Sequence, residues 1–185
     1  MNIAIVGATG NVGRKLIEVL EKKNFPISEL FLIASSKSAG KKINFKSKEY
    51  EVSDLEKFDF SKVKIAFFAA GSSIAEKWAP IAAEKTIVID NSKFFRKDPE
   101  IPLIVPEVNS KDLNQVKNRN IIANANCSVI PMVVALKPLH DLYFIKRIVA
   151  STYQSVSGAG KAGMDELLSQ TKEYFENKEL VSKNF

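Results

Sequence analysis

Hydrophobic positions along the chain fall into two alternating kinds of run. Short continuous apolar stretches, "NIAIVG" (2–7), "ELFLIAS" (29–35), "KIAFFAAG" (64–71), "TIVIDNS" (86–92) and "NIIANANC" (120–127), read as strands, the clearest of them buried on both faces. Amphipathic segments lie between them. "NVGRKLIEVLEKKN" sets Val12, Leu16, Val19 and Leu20, with Ile17 adjoining, at helical spacing. "SSIAEKWAPIAAEK" predicts a second helix, kinked or broken at Pro80. "KKINFKSKEYEVS" alternates and predicts a short hairpin. Strands alternating with helices in this way build βαβ units, so the fold class is α/β with a mostly parallel sheet and helices on both faces.

The pattern changes after Cys127. "SVIPMVVALKPLHDLY" predicts a helix and "FIKRIVASTYQSVSGAG" a long strand. "KAGMDELLSQTKEYFEN" predicts an amphipathic helix with Met164, Leu167, Leu168, Thr171 and Phe175 on one face. A domain boundary is therefore expected there, with 1–127 one domain and 128–185 the incomplete start of another. One strand and two helices cannot bury both faces of a new sheet, so the chain is expected to continue or to pack against a partner.

Composition narrows the setting. Of 185 residues, 45% are hydrophobic and 26% charged, which suits a globular core. A single cysteine and a single histidine rule out an internal disulfide and a thiolate zinc site, and no metal is expected. The opening "MNIAIVGATG" lacks the features of a signal peptide, and no apolar run approaches membrane length. A soluble cytoplasmic protein is expected. The net charge of +6 raises nucleic acid as a partner, but the lysines are scattered and no recognition motif accompanies them. They read as a solvated surface, with neither nucleic acid nor membrane as partner.

"GATGNVG" (7–13) lies between the first strand and the first helix. Gly7 permits a tight turn, Gly10 lets backbone approach a pyrophosphate, and Gly13 allows close helix–strand packing. The helix start attracts the anion. This makes the sheet Rossmann-type, with ligands expected at the carboxyl ends of its strands. After the second strand an NAD site usually carries an acid for the ribose hydroxyl. Here the chain reads "IASSKSAGK", with no carboxylate between Glu29 and Glu49. Ser35, Ser36, Lys37 and Ser38 instead suit a 2′-phosphate, so NADP is the expected cofactor, although Lys37 also reads as an ordinary surface lysine.

Cys127 follows a strand at that edge and opens a helix. As a residue type it reads equally as buried filler, but a helix start favours a thiolate, and Pro131 suits a first turn. A thiolate beside a hydride carrier is the arrangement for acyl-thioester chemistry. His140 is thirteen positions on, roughly 20 Å along a helix, beyond reach as its base. In "DNSKFFRKDP", Arg96 offers a clamp for phosphate or carboxylate, against the plainer reading of an exposed loop arginine. In "STYQSVSGAGKAG", Gln154 suits a carbonyl, and Ser157, Gly158 and Gly160 allow close backbone approach to a ligand.

Taken together, "VGATGNVG", "AGSS", "DNSKFFR", "PLIVPEVN", "NANCSVIPMVVALKPL" and "STYQSVSGAGKAG" resemble the aspartate-semialdehyde dehydrogenase family over nearly the whole chain. The resemblance implies NADPH-dependent reductive dephosphorylation of L-aspartyl-4-phosphate, releasing inorganic phosphate, in lysine, threonine, methionine and diaminopimelate synthesis. It implies that Cys127 forms the thioester, that Asn126 helps hold the reacting carbonyl, that Arg96 binds phosphate and that Gln154 contacts substrate. Gly7, Thr9, Gly10, Asn11, Val12, Ser35, Lys37, Ser38, Ser157 and Gly158 would hold NADP. It further implies that 1–127 is the cofactor domain and 128–185 the start of an α+β catalytic and dimerisation domain of a homodimer. The family's usual proline before the Asn-Cys pair is Ala125 here. Its catalytic histidine, second substrate arginine and phosphate-binding lysine are expected in a further C-terminal half, so this chain alone is expected to bind NADP weakly and turn nothing over. N-acetyl-glutamyl-phosphate reductase is a rival, but it usually places Gly before and Tyr after the cysteine, where this chain has Asn126 and Ser128. Glyceraldehyde-3-phosphate dehydrogenase usually carries the acid that is missing here. A non-catalytic NADP-binding module is the remaining alternative.

Overall fold

Four consecutive buried residues, Ile3 to Val6, form the central strand of the sheet, with alternate side chains serving opposite faces. The computed structural model describes residues 1–183. In chain order its elements are β1 (Ile3–Val6), α1 (Asn11–Lys22), β2 (Leu30–Ala34), β3 (Lys42–Phe45), β4 (Lys48–Asp54), β5 (Ile65–Phe68), α2 (Ser72–Ala83), β6 (Ile87–Asp90), β7 (Leu103–Ile104), α3 (Pro106–Asn109), β8 (Ile121–Asn124), α4 (Val129–Tyr143) and α5 (Gly160–Phe175). The strands pair in the order β3-β4-β2-β1-β5-β6-β8-β7. Every pair is parallel except β3–β4.

Ile3 and Ile5 join Leu32, Ile17 and Leu20 in one core layer, beneath α1. Ala4 and Val6 join Ile33, Ala66, Phe68 and the Ala75–Ala79–Ala82 stripe of α2 in the other. Each fully buried aliphatic side chain contributes about 1.5–3 kcal/mol. The expected Rossmann-type α/β sheet, with helices on both faces, is present. Its order reverses between β1 and β5, and such a reversal opens a crevice at the carboxyl ends of the two strands.

Several expectations change in detail. α1 buries Gly13, Ile17 and Leu20, while Val12 and Val19 are exposed, because burial follows the i, i+4, i+7 face rather than the valines. α2 runs through Pro80 without a break. Pro80 lies on the exposed side, and burial of Ala79, Ala82 and Ala83 holds the last turn in place. The hairpin forms, with Lys46 and Ser47 both in the left-handed region (φ 47° and 62°), as its two-residue turn requires. β4 then joins the main sheet through Leu32↔Val52.

The chain divides into two compact units, the first Met1–Ile148 and the second from Val149 onward. The long strand expected over 144–160 is absent. Residues 144–155 form no strand, a short 3-10 turn covers Val156–Ala159, and α5 begins at Gly160. A strand needs a neighbour for its ladder, and none of the described strands pairs with this segment. In α5 the buried residues are Gly163 and Glu166, whereas Leu167, Leu168 and Phe175 of the expected apolar face are exposed. Glu166 instead draws the tail back, accepting hydrogen bonds from the Lys183 amide (2.7 Å) and the Gln170 side chain (3.0 Å).

Candidate functional site

At the end of β1 the chain turns at Gly7 with φ +87°, and a Cβ there would stand 2.5 Å from the Ala69 carbonyl oxygen. Only glycine fits. A Cβ at Gly13 would collide with the Gly7 carbonyl oxygen, so α1 begins as close to β1 as backbone allows. Gly10 precedes α1 without offering a side-chain acceptor, and the Arg14 Nε donates back to the Thr9 carbonyl (3.1 Å). The Gly7 and Ala8 amides both donate to the Ile33 carbonyl (2.8 and 3.1 Å), which binds the end of β2 to the same turn. The structure thus brings Gly7, Thr9, Gly10, Asn11 and Val12 to the sheet reversal, beside the Ala69–Gly71 turn. This backbone cradle at a helix start fits a pyrophosphate.

Beyond β2, Lys37 and Ser38 lie in a short 3-10 turn at Ser36–Ser38, and Ser35 precedes it in extended backbone. Ser35 and Lys37 are exposed and Ser38 half-buried, with the Ser38 amide donating to the Ser35 carbonyl (2.8 Å).

The ends of β6 and β8 carry the densest polar network. Asp90 is completely buried and accepts from the Ser92 amide (3.0 Å) and hydroxyl (2.6 Å). Burial pushes its carboxyl above the ordinary range, against the Ser92 hydrogen bonds and the nearby Arg96 charge. Arg96 is half-buried, so the exposed-loop reading does not hold. Its Nε donates to the Asn124 carbonyl (2.9 Å), and its Nη2 to the carbonyls of Asn91 (3.2 Å) and Ala125 (3.4 Å). The Asn124 side-chain amide donates to the Asn91 side-chain oxygen at 2.6 Å. Asn126 leads into α4 through the turn at Cys127 and Ser128. Its Oδ1 accepts from the Ser128 amide (2.9 Å), and its carbonyl accepts from the Val129 and Ile130 amides (3.0 Å each). Cys127, set between these two anchorings, is exposed and unbridged. The buried-filler reading of Cys127 is thereby overturned. Asp90, Asn91 and Asn124 escaped sequence reasoning, although "DNS" and "NANC" display them as polar residues closing apolar strands.

Gln154, Ser157 and Gly158 lie in the second unit, and His140 in the first. The Gln154 side chain runs against Gly158, where a Cβ would collide with it. Ser157 donates through its hydroxyl to the Ser155 oxygen (3.1 Å). His140 is exposed on α4, its ring 5.2 Å from that of Phe144, an ordinary surface placement.

Known proteins resemble the chain throughout. Residues 2–116 match the family model "Semialdehyde dehydrogenase, NAD binding domain", and 136–185 match "Semialdehyde dehydrogenase, dimerisation domain". Aspartate-semialdehyde dehydrogenase 2 of Vibrio cholerae is 57% identical over 171 residues, 92% of this chain and 51% of that protein. The crystal structure of aspartate semialdehyde dehydrogenase II from the same organism, complexed with ASA, superposes with a TM-score of 0.93 at 52% identity, covering 100% of this chain and 55% of that one. The enzyme of Candida albicans, solved with NADP, gives 0.62 at 25% identity over 78% of this chain and 48% of its own. The chain spans about half the length of the curated relatives it matches.

Proposed function

We infer function from the premise that the chain belongs to the semialdehyde dehydrogenase family. We propose that it supplies the cofactor site and nucleophile for NADPH-dependent reductive dephosphorylation of L-aspartyl-4-phosphate to aspartate semialdehyde. The observation that carries this reading is an exposed cysteine in the turn between β8 and α4, two residues before the helix, on the same sheet edge as the glycine cradle. The aspartate-semialdehyde dehydrogenases of similar sequence favour it over N-acetyl-glutamyl-phosphate reductase and over a non-catalytic module.

The cradle fits the cofactor on the crowding at Gly7 and Gly13. Gly7, Thr9, Gly10, Asn11 and Val12 would hold its pyrophosphate, Ser35, Lys37 and Ser38 its 2′-phosphate, and Ser157 and Gly158 a further part. The bound cofactor supplies a hydride. Cys127 attacks the acyl phosphate, forming a C–S bond as the carbonyl–oxygen bond to phosphate breaks and inorganic phosphate leaves. Asn126 holds the carbonyl, Arg96 receives phosphate oxygens and Gln154 orients the substrate. We propose the boundary between cofactor and catalytic domains at Cys127; the two family matches, ending at 116 and beginning at 136, leave that position open. A cytoplasmic homodimer completes the proposal, the dimerisation match supporting the second copy.

Two measurements test it. Iodoacetamide should modify Cys127 about tenfold faster than free cysteine at neutral pH, and a rate equal to free cysteine favours the module. NADPH should bind more tightly than NADH, with Lys37→Ala narrowing the gap; equal affinities for the unaltered chain remove the 2′-phosphate assignment.

A further inference from the structure

The network at the ends of β6 and β8 closes into a ring. Arg96 grips the Asn124 carbonyl, the Asn124 side chain grips the Asn91 side chain, and the Asn91 carbonyl is gripped by Arg96. We propose that Asn124, held by Asn91, is a positioning residue for the Cys127 thiol. The proposal rests on the nucleophile reading of Cys127.

Cys127 is exposed, so its position is set by the backbone on either side of it. Downstream, Asn126 gathers the first amides of α4. Upstream, the ring is the tie. Its members come from two segments, since Asn91 and Arg96 follow β6 while Asn124 ends β8. The Asn124–Asn91 contact therefore fixes the nucleophile's strand end against the neighbouring loop by a side-chain bond beyond the strand ladder. All three residues are half-buried, where such bonds are stronger than in water. The bond also has a direction: Asn124 donates and Asn91 accepts. An aspartate at 91 preserves the acceptor, whereas leucine at either position abolishes the bond.

The test is the rate of Cys127 carboxamidomethylation by iodoacetamide in the 185-residue chain, with urea midpoints recorded for each variant. Asn124→Leu and Asn91→Leu should each slow the reaction about tenfold. The double variant should be no slower than either single one, because both remove the same bond. Asn91→Asp should stay within about twofold of the unaltered chain. A purely structural bond would lower the midpoints and leave alkylation unchanged. Unchanged rates in the Leu variants overturn the proposal, as do multiplicative losses in the double variant. Slowing of about tenfold by Asn91→Asp, measured against the unaltered chain, also overturns it, and this arm stands if the leucine variants fail to fold. If the unaltered chain reacts no faster than free cysteine, the nucleophile reading fails and takes this proposal with it. If the unaltered chain is fast and the variants are equally fast, only the positioning role is lost.

Discussion

At Thr86 the side chain is 6% exposed, and its Oγ1 has no hydrogen-bond partner among the described residues. A buried hydroxyl without a partner costs about 1–3 kcal/mol of desolvation. Thr86→Val keeps the shape and removes the cost. We expect stability unchanged or raised by about 1 kcal/mol in urea unfolding, and a clear loss would show that Oγ1 is in fact satisfied. Asp90 gives a pH-dependent counterpart. Its folded carboxyl titrates above its unfolded value of 3.8, chiefly through burial. In the interval between the two values the folded state binds more protons than the unfolded state, so this group's contribution falls as pH rises. Its stabilisation is complete below 3.8 and is lost as pH rises through the folded value. Asp90→Asn cannot ionise, so urea midpoints from pH 3 to 7 should fall less steeply with pH, or rise more steeply, than in the unaltered chain. Identical profiles would mean that Asp90 is not burdened by burial.

The junction of β1 with α1 is where one element most tightly constrains the next. Gly7→Ala places a Cβ against the Ala69 backbone and forces a positive φ on alanine. Strain and overpacking each cost about 1–3 kcal/mol. The variant should lose stability on that order and lose nucleotide binding with it; a folded variant with unaltered NADPH affinity would refute the cradle. This junction was legible in the sequence because three glycines in a strand-to-helix turn leave few geometries open. The strand expected over 144–160 was not, although "FIKRIVAS" has the right residues. Strand propensity describes a fit to neighbours, and the described residues supply none. Pro80 misled for a related reason: its missing amide looks decisive alone, yet a row of buried alanines outweighs it.

For the whole molecule the doubly wound sheet was readable, since its buried strands are continuous apolar runs. The polar ring at its edge was not, because Arg96, Asn91 and Asn124 are brought together only by the parallel pairing of β6 with β8. The two units, meeting in sequence at 148 and 149, invite limited proteolysis. Segment 144–155 has no regular structure and holds Tyr153, fully exposed, and Phe144 at 71%. Chymotrypsin should cut first between 143 and 153 and leave a stable fragment containing all eight strands. Earlier cleavage within 3–124 would contradict that order of local stability.

The exposure of Cys127 has one more consequence, in oxidation chemistry. The chain holds no second thiol, so a sulfenic acid formed at Cys127 has no resolving cysteine in the same chain. It must wait for a small thiol or for another Cys127, and linkage of two chains would block both at the same sulfur. Loss of the reactive thiol in air should therefore track the growth of a doubled mass on a non-reducing gel, and dithiothreitol should reverse both together.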